Sequence, residues 1–356
     1  MLITILIALF GLIALLIIHE FGHFILAKKF GVHVEEFGVG YPPRIFGKKF
    51  GETVYSLNLI PFGAFVKIHG EEGGIEDCRS FTDKPLWQRF SIILAGVVSF
   101  WIVAAVLLSI VVGVWGLPQA ISDDEVGNLK EVKVQITQVL QNSPAEEAKL
   151  KAGDILVNFN KVSDVQNFVK ENKGKEVVLT IKRGQNVFDK EILLKSSVAE
   201  GEGPLGIALA RVALKQSPWF LAPVRGVSVT GELTVNVVNG WVVGVKNFLG
   251  ITKLPANLKM EMFGPIGIVD LLQQYSAMGI NYFLFLISFI SVAMALTNLL
   301  PIPALDGGKI IFLAIEAIRG KAVNCKLEQR ITATFFVLLI LFMIFVTIKF
   351  DIPRLI

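Results

Sequence analysis

Residues 1–23 read MLITILIALFGLIALLIIHEFGH. Residues 1–18 carry no Lys, Arg, Asp or Glu, and a run of about 17–25 apolar residues is what a helix needs to cross a bilayer. The run enters His19-Glu20-Phe21-Gly22-His23 without a break. Residues four apart on a helix sit one turn apart on nearly the same face, so the two imidazoles can converge on one metal ion. Glu20 lies beside them, placed to take a proton from water at that ion. Zinc suits the pattern because it lowers the pKa of bound water toward about 7. A charged side chain at the bilayer centre costs roughly 2.5–3.5 kcal/mol on insertion scales. Packing alone gives no reason to place two histidines and a glutamate on one turn at membrane depth. No basic segment precedes the apolar run and no small-residue cleavage pattern closes it, so it reads as part of the mature chain rather than a signal peptide.

Three more stretches resemble the first: Phe90 to about Trp115, a run within Ala277 to Leu305, and Ile331 to Ile348. The composition agrees. The chain is 53% hydrophobic and 18% charged, against about 45–50% and 25% in soluble domains, and the excess is clustered. The expected fold is a polytopic α-helical membrane protein with four core transmembrane helices. A net charge of +4 gives no sign of a nucleic-acid partner. Cys78 and Cys325 lack any CxxC spacing and read as free thiols. The loop after the first span carries Lys28, Lys29, Arg44, Lys48, Lys49, Lys67, Arg79, Lys84 and Arg89. The loop before the last carries Arg319, Lys321, Lys326 and Arg330. The positive-inside rule makes both cytoplasmic and puts residues 118–276 and both termini outside.

Between the spans lie two β-rich regions. In residues 37–70, Thr53–Ile60 alternates as a strand stopped by Pro61, and Phe65–Ile68 can return beside it as a membrane-associated hairpin. Gly38-x-Gly40 lacks the third glycine of a nucleotide fingerprint. Residues 128–198 read as one inserted α+β domain. Val132–Ile136 forms a strand, and Ser143 caps a short helix that has Pro144 at its first position. Ser163 is a candidate cap for a helix over 164–170, and Val177–Ile181 pairs with Val187–Leu194 across Arg183-Gly184-Gln185. The run Ser143-Pro144-Ala145 followed by Leu150-Lys151-Ala152-Gly153-Asp154-Ile155-Leu156 resembles a PDZ domain. Residues 205–276 read as an amphipathic membrane-surface segment, with 220–258 interrupted by Arg225, Glu232, Lys246 and Lys253; a further span there is the alternative. These boundaries leave 1–117 and 277–356 as two membrane halves.

A catalytic zinc takes three protein ligands and keeps an open position. His33 and His69 fall in the cytoplasmic loop, so a carboxylate is the better third ligand. Asp306 stands out in Asn298-Leu-Leu-Pro301-Ile-Pro303-Ala-Leu-Asp306-Gly307-Gly308, where prolines and glycines break a helix at membrane depth. Broken backbone is tolerated there only inside protein or along a water-filled cavity. Asp306 can equally cap the helix that starts near Lys309, a role compatible with ligation. The Asn298 amide could bind substrate backbone or steady an oxyanion.

His19-Glu20-Phe21-Gly22-His23 together with Asn298-x-x-Pro301-x-Pro303-x-x-Asp306-Gly307 resembles the site-2 protease family, and within it the bacterial RseP-type regulator-of-sigma proteases. Pro61-Phe-Gly-Ala-Phe-Val-Lys67 and Phe263-Gly-Pro-Ile-Gly-Ile268 also resemble segments of that family. The resemblance implies one Zn2+ and cleavage of transmembrane segments in single-pass proteins already trimmed by another protease, such as anti-sigma factors or signal-peptide remnants. It implies a multi-pass protein of the bacterial inner membrane. Its site would lie near the cytoplasmic face and its PDZ-like domain outside, free to bind a peptide or bar an ectodomain. Ser99, where relatives often carry Asn, and Ala64, where they often carry Gly, depart from the pattern and bear on substrate handling. An inactive zinc-binding PDZ scaffold is the competing reading. A metal transporter would want an inverted repeat, and none is visible.

Overall fold

Inside a bilayer every backbone N–H and C=O must find a partner within its own segment, so apolar runs fold as helices. A computed structural model describes residues 2–71, 77–125, 129–184, 186–197, 203–251 and 262–355. Its elements are α1 (Leu2–Lys29), β1 (Val34–Phe50), β2 (Thr53–Ile68), α2 (Leu86–Val114), β3 (Leu117–Ile121), β4 (Lys130–Val139), α3 (Pro144–Glu147), β5 (Ile155–Leu156), α4 (Val162–Glu171), β6 (Glu176–Arg183), β7 (Asn186–Leu193), β8 (Ile207–Lys215), α5 (Ala222–Phe248), α6 (Pro265–Met278), α7 (Ile280–Asn298), α8 (Asp306–Arg319), α9 (Cys325–Val346) and α10 (Ile352–Leu355), with a π turn over Thr347–Asp351.

Among the described residues, four helices are long and apolar enough to cross a membrane: Leu9–Lys29, Leu86–Val114, Ile280–Asn298 and Cys325–Asp351. The first runs past the expected end at Ile18, so the histidines sit within the span rather than after it. It stops after Lys28 and Lys29, basic residues that suit a helix C-terminus, with Gly31 at φ +69 providing the exit. Two apolar clusters bracket the membrane half. Leu15, Val97, Phe100, Leu272, Phe283, Ile287 and Ala295 join α1, α2, α6 and α7. Ala27, Val32, Val34, Ile68, Phe81, Ile92 and Ile93 join α1, the hairpin and α2.

The hairpin is more than two strands. Residues 64–68 of β2 lie along one side of β1, from Val34↔Ile68 to Val39↔Ala64. Residues 54–57 lie along its other side, from Glu36↔Val54 to Val39↔Leu57, and also pair with 46–49. The outer edges are therefore 64–68 and 44–50. Ile45, Phe46, Phe50, Leu57 and Leu59 are exposed, an apolar surface of the kind that meets a membrane.

The inserted domain is a six-stranded sheet of order β3-β8-β4-β5-β6-β7. Its core gathers Val134, Ile136, Leu156, Val165, Leu179 and Ile181. Ser143 caps α3 as expected, accepting from Glu146 N–H at 3.2 Å. The expected cap at Ser163 is corrected. Asp123, from the segment after β3, accepts from the N–H groups of Val162 (3.0 Å) and Ser163 (2.8 Å), so a carboxylate from another part of the domain does the capping. The expected boundaries 128–198 fall short, because β8 pairs with the free edge of β4 and β3 pairs with β8. Residues 128, 185 and 198, at the boundaries and the β6–β7 turn, lie outside the described residues, as do 252–258 of the stretch expected to be amphipathic.

The expected surface segment 205–276 divides into β8, α5 and α6. α5 does not lie apart from the bundle but packs along α2 in the opposite direction. A Cβ on Gly226 would lie 2.1 Å from Ser109 Oγ, and two turns on Thr234 Oγ1 accepts from Trp101 Nε1 at 3.2 Å. A glycine lets two helices approach closely inside a membrane. α6 is held at its start by Asp351, whose carboxylate accepts from Gly264 N–H (2.9 Å) and Ile266 N–H (3.2 Å).

Candidate metal centre

His19 and His23 leave α1 from the same face, at a level where α1 lies close against α2. A Cβ on Gly22 would lie 2.5 Å from the Ala95 carbonyl oxygen, and one on Gly96 would lie 2.2 Å from His23 Nε2. Two glycines thus let the helix backbones touch and leave a cradle in front of the imidazole. His19 stacks on Phe100, ring centroids 4.7 Å apart. His23 Nδ1–H donates to the Ile92 carbonyl at 2.8 Å. That bond fixes the tautomer and leaves Nε2 with its lone pair turned to the cradle.

Asp306 arrives from the other end of the chain. The Leu299–Leu305 turn folds tightly onto the start of α8. A Cβ on Gly307 would lie 2.2 Å from the Leu300 carbonyl oxygen, and one on Gly308 2.3 Å from Pro303 Cα, so only glycines fit. α8 is fastened to α2 by a two-pronged ion pair between Arg89 and Glu316. The cap position of α8 is Leu305, which makes no side-chain cap bond, and Asp306 follows it as the first helical residue, its side chain buried. That side chain turns to the histidines, with Oδ2 3.3 Å from His19 Nε2 and 3.5 Å from His23 Nε2; the two Nε2 atoms are 3.3 Å apart. Among the described residues, this is the group of His, Cys, Asp and Glu whose donor atoms come together in this way.

The residues fit zinc on three counts. Ligands at about 2.0–2.1 Å from a tetrahedral ion are separated from each other by about 3.3 Å, which is the spacing seen. Asp306 Oδ2 is buried with no hydrogen-bond partner, a state that costs free energy unless something positive completes it. A side chain at position 96 would overlap His23 Nε2, and glycine leaves that atom clear.

Glu20 stands next to this group. Its Oε2 accepts from Val66 N–H at 3.1 Å, on the outer edge of the 64–68 strand. Glu20, His23, Asp306, Val66, Glu71 and Lys309 line a cavity of about 60 Å³, large enough to hold water. Of the residues expected from sequence, His19, His23, Asp306 and Glu20 thus meet. Asn298 does not join them. It closes α7, and its Nδ2 donates to the Met294 carbonyl one turn back at 3.0 Å. Ser99 likewise donates to its own helix, at the Gly96 carbonyl (2.6 Å). His33 and His69 pair with Glu52 and Glu35 away from the centre. Val66, Gly96, Glu71 and Lys309 were not foreseen. Only Lys309 left a sequence signal, three residues after Asp306 on the same helix face.

Compared with known proteins, residues 7–342 match the family profile described as Peptidase family M50. A Clostridium perfringens protein provisionally named zinc metalloprotease is 35% identical over 349 residues, covering 96% of each chain. One of the same kind from Clostridium acetobutylicum is 32% identical, over 97% of this chain and 96% of that one. The regulator of sigma-W protease RasP of Bacillus subtilis is 28% identical, over 98% of this chain and 97% of that one.

Proposed function

Because the chain belongs to peptidase family M50, and is thereby a zinc metalloendopeptidase of the membrane, we propose that it cuts within the transmembrane segments of single-pass proteins, with His19, His23 and Asp306 as zinc ligands and Glu20 as base and acid. The observation that carries this reading is three ligand atoms 3.3–3.5 Å apart beside the Glu20 carboxylate, with His19 and His23 on a helix long enough to span a bilayer.

Zinc supplies Lewis acidity when bound, polarising a carbonyl and bringing the pKa of water near about 7. The chain's own groups do the rest. The Ile92 carbonyl keeps His23 in the Nδ1–H tautomer, so Nε2 stays a donor. Val66 N–H holds Glu20 Oε2, which leaves Oε1 to take a proton from water and return it to the departing amine. A substrate helix hides its carbonyls in backbone bonds and must unwind to be cut. The outer edge of 64–68 lies against Glu20, and an extended substrate paired there would lie against the centre. Asn298 would reach substrate by exchanging the Met294 carbonyl for a substrate carbonyl.

The substrate reading extends to anti-sigma factors and signal-peptide remnants, supported by the name of the Bacillus subtilis relative. The loop charges support a centre on the cytoplasmic side and an extracytoplasmic inserted domain. That domain is read as PDZ-like. A cavity of about 250 Å³ between α4 and the Gly203–Ile207 segment, lined by Val165, Val169, Leu205 and Ile207, suits an apolar chain end.

The test is Glu20→Gln. Zinc content and fold should persist while cleavage stops, and membrane proteomes of the variant cells should accumulate single-span stubs. Unchanged stubs and unchanged cellular function would favour the inactive scaffold instead.

A further inference from the structure

The catalytic cavity contains a cation that the reaction above leaves unused. Lys309 lines the 60 Å³ space with Glu20, His23 and Asp306. It also lines a second cavity of about 550 Å³ bounded by α2, α8 and α9. Glu71 and Ile93 are the other residues common to both. Lys309 Nζ donates to Glu71 Oε1, so a lysine–glutamate pair stands in the wall between a small catalytic space and a large chamber.

The charges explain why a lysine can sit beside a dication. Glu20, Glu71 and Asp306 face the small cavity. Their three negative charges exceed those of zinc by one, and Lys309 restores neutrality. Hydrolysis then makes a new anion in the same place. The peptide C–N bond breaks, the oxygen of water stays on the acyl carbon, one water proton passes by way of Glu20 to the departing nitrogen, and the second leaves the new acid and charges the amine. The acyl-side product is left as a carboxylate. Zinc would hold that carboxylate, and apart from zinc the cation lining this cavity is Lys309.

We propose that Lys309 takes the new carboxylate of the acyl-side product, releasing Glu71 as it does so, and passes it into the 550 Å³ chamber, which is the product's way out. This rests on the protease reading above. The chamber suits the task. Phe312 and Phe336 offer apolar wall for a fragment of a transmembrane helix, and Ala322 and Val323 place its far side at the α8–α9 connection. That connection is flanked by Arg319, Lys321 and Lys326, and the chamber wall carries Arg89 with the carboxylates Glu71, Glu316 and Glu328, so the attraction for an anion lies at the two ends, Lys309 and the basic connection.

The experiment uses full-length zinc-loaded protein in detergent and titration calorimetry with N-acetylated leucyl-alanyl-leucine, as free carboxylate or as carboxamide. A hydrogen bond between charged groups is worth about 1.5–3 kcal/mol, or roughly ten- to a hundredfold in affinity. Lys309→Met should therefore cut the preference for carboxylate over carboxamide about tenfold or more. Lys309→Arg keeps the charge and should stay within about threefold of the parent. Glu71→Gln frees the ammonium and should tighten carboxylate binding. Zinc per chain should be equal in all four proteins. The proposal is overturned if Lys309→Met keeps the preference, if Glu71→Gln weakens carboxylate binding as Lys309→Met does, or if both lysine variants lose zinc, which would make the residue a structural partner of Glu71. Failure of the protease reading looks different: Glu20→Gln would leave the single-span stubs in the membrane unchanged, whatever the peptides do.

Discussion

Gly96→Ala separates the metal centre from the helix that carries it. Gly96 lies inside α2, where alanine favours the helix over glycine by about 1 kcal/mol. Local propensity alone therefore predicts a chain at least as stable as the parent. The geometry predicts a damaged site. The added Cβ would lie 2.2 Å from His23 Nε2, 2.4 Å from Cε1 and 2.8 Å from Cδ2, where carbon contacts settle at about 3.5–4.0 Å. The imidazole must retreat by more than about 1 Å, whereas zinc–ligand distances tolerate about 0.2 Å. Disturbing even the partners of a ligand costs about ten- to a hundredfold in metal affinity, so displacing the ligand itself should cost at least the upper figure. A 1 Å misplacement alone lowers turnover about a hundredfold. Purified Gly96→Ala should show parental helix content by circular dichroism, less than one zinc per chain after dialysis, and a hundredfold slower cut of a single-span reporter. Gly240→Ala, where a Cβ meets open space, is the control and should behave as the parent. Parental zinc and parental rate in Gly96→Ala would refute the placement of His23 against α2.

Val66→Pro removes the N–H that holds Glu20 while leaving an outward-facing edge position that proline tolerates. Reporter cleavage should fall about ten- to a hundredfold with zinc retained, and an undiminished rate would show that Glu20 is positioned by something else. The hairpin turn should be acid-sensitive in a defined window. Arg79 and Lys28 hold the Glu52 carboxyl at about 2, below its ordinary 4.5. A lowered folded pKa lends stability above the ordinary value and loses it as pH falls from there toward the folded one. Hydrogen-exchange protection at residues 50–54, taken relative to the intrinsic exchange rate at each pH, should match at pH about 7 and 5 and fall near pH 3. Glu52→Gln should be poorly protected throughout, and a parent protein that loosens already at pH about 6 would contradict the assignment.

Much of the membrane half is legible in the chain because its rules are one-dimensional. Span length and charge exclusion locate α1, α2, α7 and α9, and a four-residue spacing, about one helical turn, brings His19 and His23 to one face. The proline and glycine break before Asp306 is similarly local, since Gly307 and Gly308 are demanded by backbone a few residues away. What escaped depends on contacts between distant segments. Asp123 caps α4 from some 40 residues upstream, β8 joins the sheet from beyond the expected domain end, and Gly226 docks α5 on Ser109. Gly96 carries no chemistry of its own, and its role appears only once α1 lies against it. Asn298 shows the converse. Its position in the motif is plain, yet its amide has a nearer acceptor one turn back.

The meeting of His19 and His23 with Asp306 also has a topological side. These residues come from opposite ends of the polypeptide, and everything between them, sheet domain included, forms one excursion of roughly 280 residues whose ends are closed at that point. A cross-link stabilises more the longer the loop it closes, because it removes more freedom from the open chain. A zinc ion held by these three residues, as proposed, would thus also be the rivet joining the two terminal halves of the chain.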